Sequence, residues 1–101
     1  MPVSLELGGK SPTIVFEDCD RKLAIAGILF GIFSSSGQSC IAGSRLFVQR
    51  AIYDDFVAEL VAATKALIVG APDDPATQVA PMICAEHRDS VEAYIEMAKA
   101  E

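Results

Sequence analysis

A single thiol, Cys40, stands in a segment of small and polar residues that lies between two apolar stretches of the chain. The segment covers residues 34–45 and reads Ser-Ser-Ser-Gly-Gln-Ser-Cys-Ile-Ala-Gly-Ser-Arg. Its glycines allow sharp turns, and its hydroxyl and amide groups are neutral hydrogen-bond donors. Cysteine is a strong nucleophile as its thiolate. The pattern therefore indicates a reactive thiol in a loop, whereas we expect Cys19 and Cys84 to pack against apolar neighbours and to react more slowly.

A carboxylate, Glu6, precedes a pair of glycines near residue 1 of the sequence. Residues 3–6 alternate apolar and polar side chains with a period of two, which predicts a short strand that ends at Glu6. Gly8 and Gly9 then interrupt the regular structure. We therefore expect Glu6 at the junction of a strand and a loop, where a rigid element holds the side chain at the edge of a cleft.

Together, these two segments resemble the active-site signatures of the aldehyde dehydrogenase superfamily. The first is Glu-Leu-Gly-Gly-Lys at residues 6–10, and the second is Gly-Gln-Ser-Cys at residues 37–40. Glu6 and Cys40 are 34 residues apart, which is the separation that the family pattern leads us to expect. Each motif is short, but two motifs in order at this spacing are a specific signal.

The resemblance implies the oxidation of an aldehyde to a carboxylic acid with NAD or NADP as the cofactor. In the family, the cysteine of the second signature is the nucleophile, which gives Cys40 that role. It attacks the aldehyde carbon to form a thiohemiacetal, and hydride transfer then leaves a thioester. The glutamate of the first signature is the general base, so the resemblance implies that Glu6 activates the water that hydrolyses the thioester.

The resemblance also suggests which residues bind the cofactor and the aldehyde. It places the backbone of Leu7 and Gly8 near the nicotinamide, since glycine permits a close approach. Ser34, Ser39 and Ile41 flank the thiol and are candidates for the aldehyde pocket. These three side chains describe a pocket of modest bulk and mixed polarity.

The family resemblance extends over nearly all of the 101 residues, although family members are several times longer. We therefore expect residues 1–101 to be part of a catalytic domain, with the nucleotide-binding domain and the C-terminal remainder outside this chain. No dinucleotide-binding fingerprint follows a predicted strand, in agreement with this expectation. The resemblance further implies a homo-oligomer for the complete enzyme. One departure from the family is Ala80, where a glycine usually precedes the proline that is here Pro81.

The composition excludes several classes of partner. With 8 basic and 14 acidic residues, the net charge is −6, and no basic cluster exists that could follow a nucleic-acid backbone. The longest nearly unbroken apolar run, residues 23–33, has 11 residues, whereas a membrane-spanning helix needs about 20. Three widely spaced cysteines argue against a disulfide framework and against a Cys/His zinc site. A reducing cytoplasm fits this composition.

Hydrophobic periodicity predicts short strands that alternate with helices. Apolar runs at residues 13–16 and 46–48 predict two strands in addition to residues 3–6. Residues 23–33 are apolar on nearly every face, which predicts a helix that is covered on all sides. A stripe from Tyr53 to Ile68, followed by Gly70 as a stop, and a second stripe at residues 91–98 predict two amphipathic helices. This order favours an α/β fold of short parallel strands with packed helices.

Two other functions stay open from the residues alone. In the first, Cys40 and Glu6 support the cleavage of esters without a nucleotide. In the second, the chain is a truncated, non-catalytic fragment whose apolar surfaces bind other copies or other parts of the enzyme. A papain-like Cys-His pair is disfavoured, because the only histidine, His87, is predicted to lie on the surface near the start of the last helix.

Overall fold

The computed structural model describes residues 1–101 and contains two short strands and three helices. In chain order they are β1 (Pro12–Val15), α1 (Arg21–Phe33), β2 (Arg45–Val48), α2 (Tyr53–Lys65) and α3 (Ala85–Ala100). Two short 3₁₀ turns lie at Ser34–Gly37 and Arg50–Ile52. The predicted α/β class is confirmed, as are the strands near residues 13–16 and 46–48.

β1, α1 and β2 form one parallel unit that organises the chain. The strands pair in register, with Pro12 opposite Arg45 at the first position. A parallel pair needs a crossover connection, which α1 supplies. Asp20 caps α1, since its carboxylate accepts a hydrogen bond from the Leu23 N–H at 3.1 Å. Because both strands run in the same direction, the segments that precede them reach the same edge of the sheet.

The core is small and lies where the sheet, α1 and α2 meet. Val15, Ile52 and Phe56 are its buried members, and Phe56 is completely enclosed. The partly buried residues that pack around them are Cys19, Ala24, Ile25, Ile28, Leu46 and Val48. Only 4 of the 101 residues are buried, so much of the apolar surface of this chain has no cover within the chain itself.

The predicted strand at residues 3–6 is wrong. Residues 1–11 form neither helix nor strand, and residues 1–10 take part in no backbone-to-backbone hydrogen bond. A strand exists only where a neighbouring strand pairs with its N–H and C=O groups. The chain places no such neighbour beside residues 3–6, so their alternating pattern has no sheet to join. Glu6 therefore lies in an extended segment rather than at the end of a strand.

Two predictions about helices need correction. The apolar pattern of α1 predicts a helix that is covered on all sides, but this chain covers only one side of it. Leu23 and Phe30 remain 72% and 77% exposed, while the opposite face packs on the core. α2 is amphipathic as predicted, but it ends at Lys65, five residues before Gly70.

α3 confirms the last predicted helix and lies apart from the core. None of its residues is buried, and its apolar stripe faces solvent. His87 is exposed in its first turn, as predicted. None of the three helices has the length and apolar character needed to cross a membrane.

Candidate active site

A strained turn leads from α1 into the loop that carries the thiol. Ser35, Ser36 and Gly37 all have left-handed backbone conformations, with φ values of 51°, 56° and 77°. Such a conformation costs a non-glycine residue roughly 1–2 kcal/mol. The turn is held in place because the Ser36 hydroxyl donates to the Ala80 carbonyl at 2.7 Å and the Gln38 amide donates to the Ser35 carbonyl at 3.2 Å. Sequence reasoning missed the two serines, since glycine and asparagine are the usual residues in this conformation.

Cys40 lies exposed in the loop that follows this turn. Its thiol has no hydrogen-bond partner, and its backbone N–H donates no hydrogen bond within the chain. The loop nevertheless has internal order around the thiol. The Ser39 carbonyl accepts a hydrogen bond from the Ala42 N–H at 3.1 Å, and the Ser39 hydroxyl accepts a weaker one from the Ile41 N–H at 3.4 Å. The loop thus presents both a thiol and a free backbone donor at one point.

The segment that carries Glu6 meets the Cys40 loop at Gly9. A Cβ built on Gly9 would overlap the Cys40 carbonyl oxygen, so only a glycine fits there without a shift of the backbone. Next to this contact, the Arg45 Nε donates a hydrogen bond to the Lys10 carbonyl at 2.9 Å. The parallel register explains the approach, because both segments immediately precede paired strands. The structure therefore brings the backbones of the two sequence signatures together.

The residues between Glu6 and Gly9 are open to solvent. Glu6, Leu7 and Gly8 are all exposed, and no atom lies within 4 Å of the position that a Cβ on Gly8 would occupy. The space beside Gly8 is therefore free for another molecule. In contrast, the Cys40 carbonyl fills the position that a Cβ on the neighbouring Gly9 would occupy.

The three candidates for the aldehyde pocket lie in different surroundings. Ser39 and Ile41 adjoin the thiol in the loop, and Ile41 is 80% exposed. Ser34 instead donates its hydroxyl to the Phe30 carbonyl. It also lines a groove of about 520 Å³ between α1 and the segment 67–79, whose other lining residues are Ala26, Leu29, Phe30, Phe33, Leu67, Gln78 and Val79. No cavity of the chain is lined by Cys40 or Glu6.

The other two cysteines differ from each other. Cys19 is half-buried against the core, as predicted, but the expectation that Cys84 is packed is wrong, because Cys84 is exposed where α3 begins. The pKa of Glu86 is lowered by a hydrogen bond from its own backbone N–H and by a second one from the Cys84 side chain. No group of three or more His, Cys, Asp or Glu side chains is arranged to hold a metal ion.

The whole chain, residues 1–101, matches the model of the aldehyde dehydrogenase family. This agrees with the two signatures and with the way the fold brings them together. The chain therefore belongs to the aldehyde dehydrogenase family.

The chain is also similar in sequence to individual aldehyde dehydrogenases. The chain is 52% identical over 99 residues to betaine aldehyde dehydrogenase of Sinorhizobium fredii, a match that covers 98% of this chain and 20% of the relative. It is 46% identical over 97 residues to 2-hydroxymuconic semialdehyde dehydrogenase of Pseudomonas sp. strain CF600, with 96% of this chain and 20% of the relative covered. The chain thus spans about a fifth of the length of the curated relatives it matches.

Solved structures have the same fold over this segment. Betaine aldehyde dehydrogenase from Staphylococcus aureus, in complex with NAD⁺, superposes with a TM-score of 0.90 at 43% identity, covering 94% of this chain and 19% of that one. HpcC from Thermus thermophilus superposes with a TM-score of 0.90 at 46% identity, covering 94% of this chain and 18% of that one. The agreement supports the α/β architecture of the 101 residues.

Proposed function

We propose that this chain supplies the nucleophile and the general base of an aldehyde dehydrogenase, as part of a complete enzyme that uses NAD or NADP. One observation carries the proposal: the Gly9 backbone lies against the Cys40 carbonyl, so the Glu6 segment and the Cys40 loop meet at one edge of the sheet. Membership of the family supplies the class of reaction, and the relatives named above oxidise aldehydes by name.

In the first step, the Cys40 thiolate adds to the carbonyl carbon of the aldehyde. A carbon–sulfur bond forms, the carbonyl electron pair moves to oxygen, and a thiohemiacetal oxyanion results. This oxyanion needs preorganised N–H donors. The Cys40 backbone N–H suits this role, because it has no acceptor within the chain. The exposure of the thiol leaves the approach of the aldehyde open.

The space around Leu7 and Gly8 fits a cofactor. Both residues are exposed, and the face of Gly8 that a Cβ would fill is empty, so a flat ring has room against this backbone. When bound there, NAD or NADP accepts the hydride that leaves the substrate carbon with its bonding electron pair. The complex of the Staphylococcus aureus relative with NAD⁺ supports NAD for this role.

In the last step, Glu6 takes a proton from water, and the resulting hydroxide adds to the thioester carbon. The carbon–sulfur bond then breaks, which releases the carboxylic acid and restores the Cys40 thiolate. The contact of Gly9, three residues after Glu6, with the carbonyl of the nucleophile supports this role for Glu6. Ser39 and Ile41, which flank the thiol, contact the aldehyde in this proposal. Ser34, the third candidate, lines the separate groove between α1 and residues 67–79. The complete enzyme is a cytoplasmic homo-oligomer.

The test uses a replacement enzyme, in which this chain takes the place of the 99 matching residues of the Sinorhizobium fredii relative. Stopped-flow NADH formation from betaine aldehyde separates hydride transfer from thioester hydrolysis. We expect Cys40→Ala to abolish NADH formation, because no covalent intermediate forms. We expect Glu6→Gln to keep a burst of about one NADH per active site and to lower steady-state turnover by roughly 10²- to 10⁴-fold, the range typical of a general base.

The matched control is Cys84→Ala, which removes an exposed thiol outside the proposed site. Its kinetics should equal those of the replacement enzyme. NADH formation that survives Cys40→Ala would remove Cys40 from the mechanism, and unchanged turnover in Glu6→Gln would remove Glu6. A third outcome would favour the nucleotide-independent esterase instead. In that case no NADH forms, and ester cleavage requires Cys40 but proceeds at the same rate with and without NAD.

A further inference from the structure

We propose that Arg45 is a positioning residue, which holds the Glu6 segment against the Cys40 loop for the hydrolysis of the thioester. This inference rests on the proposed function and adds to it a residue that is neither nucleophile nor base. Arg45 is the first residue of β2, directly after the Cys40 loop, and its side chain extends to the segment that carries Glu6. It acts through the backbone of Lys10, four residues after Glu6.

The Glu6 segment has few other restraints. Residues 1–10 take part in no backbone-to-backbone hydrogen bond. Two interactions with the Cys40 side hold this segment: the contact of Gly9 with the Cys40 carbonyl, and the hydrogen bond of 2.9 Å from the Arg45 Nε to the Lys10 carbonyl. The first is a steric contact that limits approach, and the second is a charged donor that prevents separation. The Arg45 backbone N–H also donates to the Ser11 carbonyl at 3.3 Å, but this bond lies one residue further from Glu6. Within residues 1–10, the Arg45 side chain supplies the one hydrogen bond that ties the segment to the Cys40 side.

The Cys40 loop, in contrast, keeps its shape without the Arg45 side chain. The Ser39 carbonyl accepts from the Ala42 N–H at 3.1 Å, and the Ala42 carbonyl accepts from the Ser44 N–H at 2.7 Å. The Gly43 N–H donates to the Gly31 carbonyl at the end of α1, at 3.3 Å. Loss of the Arg45 side chain therefore releases the base and leaves the nucleophile in place.

The guanidinium of Arg45 is itself fixed by an aromatic ring. It lies 5.8 Å from the centroid of the Phe47 ring, which is within the distance for a cation–π contact. Phe47 follows two residues later in β2, so both side chains stand on the same face of the strand. A planar guanidinium can lie over a ring and donate from Nε at the same time, whereas a lysine ammonium at the end of a flexible stem does not provide this geometry.

The test measures burst and steady-state NADH formation in the replacement enzyme with Arg45→Met. We expect a burst within about threefold of the parent and a steady-state rate lower by about 10²-fold, the effect that a misplacement of about 1 Å has on a reacting group. Arg45→Lys should show the same separation of the two phases. Phe47→Leu keeps an apolar residue in β2 and should show a smaller loss of the same kind. Arg50→Met is the matched control, since Arg50 is exposed and its side chain makes no hydrogen bond or ion pair. It should leave both phases unchanged.

Limited proteolysis of the replacement enzyme gives an independent measure of the same hydrogen bond. Trypsin should cleave after Lys10 faster in Arg45→Met than in the parent enzyme, and at the parent rate in Arg50→Met. Equal cleavage in all three enzymes, or equal losses of burst and steady state in Arg45→Met, would overturn the role of Arg45. A parent replacement enzyme that forms no NADH would instead overturn the proposed function, so the two failures are distinguishable.

Discussion

Gly8 and Gly9 are adjacent glycines that differ in what surrounds them next to the Cys40 loop. Gly9 has no Cβ, and this absence allows its backbone to touch the Cys40 carbonyl. The same absence at Gly8 leaves a free surface instead, because nothing lies within 4 Å of it. Two adjacent glycines therefore have different uses: one allows contact within the chain, and the other leaves room for another molecule.

The reactivity of the three thiols follows from their surroundings. We expect iodoacetamide to alkylate Cys40 first, then Cys84, and Cys19 last. Cys19 packs against the core, while Cys40 and Cys84 are exposed. The Cys84 side chain contributes to the lowered pKa of Glu86, whereas the Cys40 thiol has no hydrogen-bond partner. Peptide mapping of the labelled chain measures the three rates, and a Cys19 rate equal to that of Cys40 would contradict the burial of Cys19.

The pKa of Glu86 depends on the local structure at the start of α3. Its folded-state pKa is lowered, first by its own backbone N–H and then by the Cys84 side chain. A lowered pKa stabilises the folded helix start above the ordinary pKa of the group, and this contribution is lost as the pH falls through the folded-state pKa. NMR titration should therefore give a midpoint below the ordinary glutamate value, and Cys84→Ala should raise it in part. A midpoint at or above that value would contradict both hydrogen bonds.

At the scale of elements, β1 and α2 hold the core together through Phe56. We expect Phe56→Ala to destabilise the chain by about 3–5 kcal/mol, since it is the one side chain that is fully enclosed. Tyr53→Ala is the matched control, because Tyr53 lies one turn earlier in α2 and is 52% exposed. Urea unfolding followed by circular dichroism gives both values. A loss of stability in Tyr53→Ala as large as in Phe56→Ala would contradict the position of the core.

Sequence patterns predicted those elements whose partners lie within the chain. The strands near 13–16 and 46–48 pair with each other, and the stripe of α2 meets their shared core, so local periodicity and tertiary packing agree. Residues 3–6 also alternate apolar and polar side chains, but a strand needs a neighbouring strand to pair with, and none lies beside these residues, so no strand forms. The Arg45 to Lys10 hydrogen bond has no sequence signal, because a long side chain and a backbone carbonyl 35 residues away leave no periodic trace.

At the scale of the whole molecule, many large apolar side chains are exposed to solvent. α1 is exposed on one side, α3 has no buried residue, and the groove beside Ser34 is lined mainly by apolar side chains. The chain also spans about a fifth of the length of its relatives. A chain of this size with so few buried residues has little stability to spare, since the free energy of folding depends on the apolar area removed from water.

The 101-residue chain alone should not oxidise aldehydes with NAD, although it carries both signatures. Correct placement of the reacting groups accounts for roughly 7–11 kcal/mol of barrier lowering, and no cavity surrounds Cys40 or Glu6 to provide it. The proposed site has one free backbone donor for the oxyanion, and the loss of a further donor costs on the order of 10²- to 10³-fold in rate. We expect NADH absorbance to stay at background with purified chain, NAD and betaine aldehyde, while the replacement enzyme serves as the active control. NADH formation by the chain alone that disappears in Cys40→Ala would show that these residues bind the cofactor without further help.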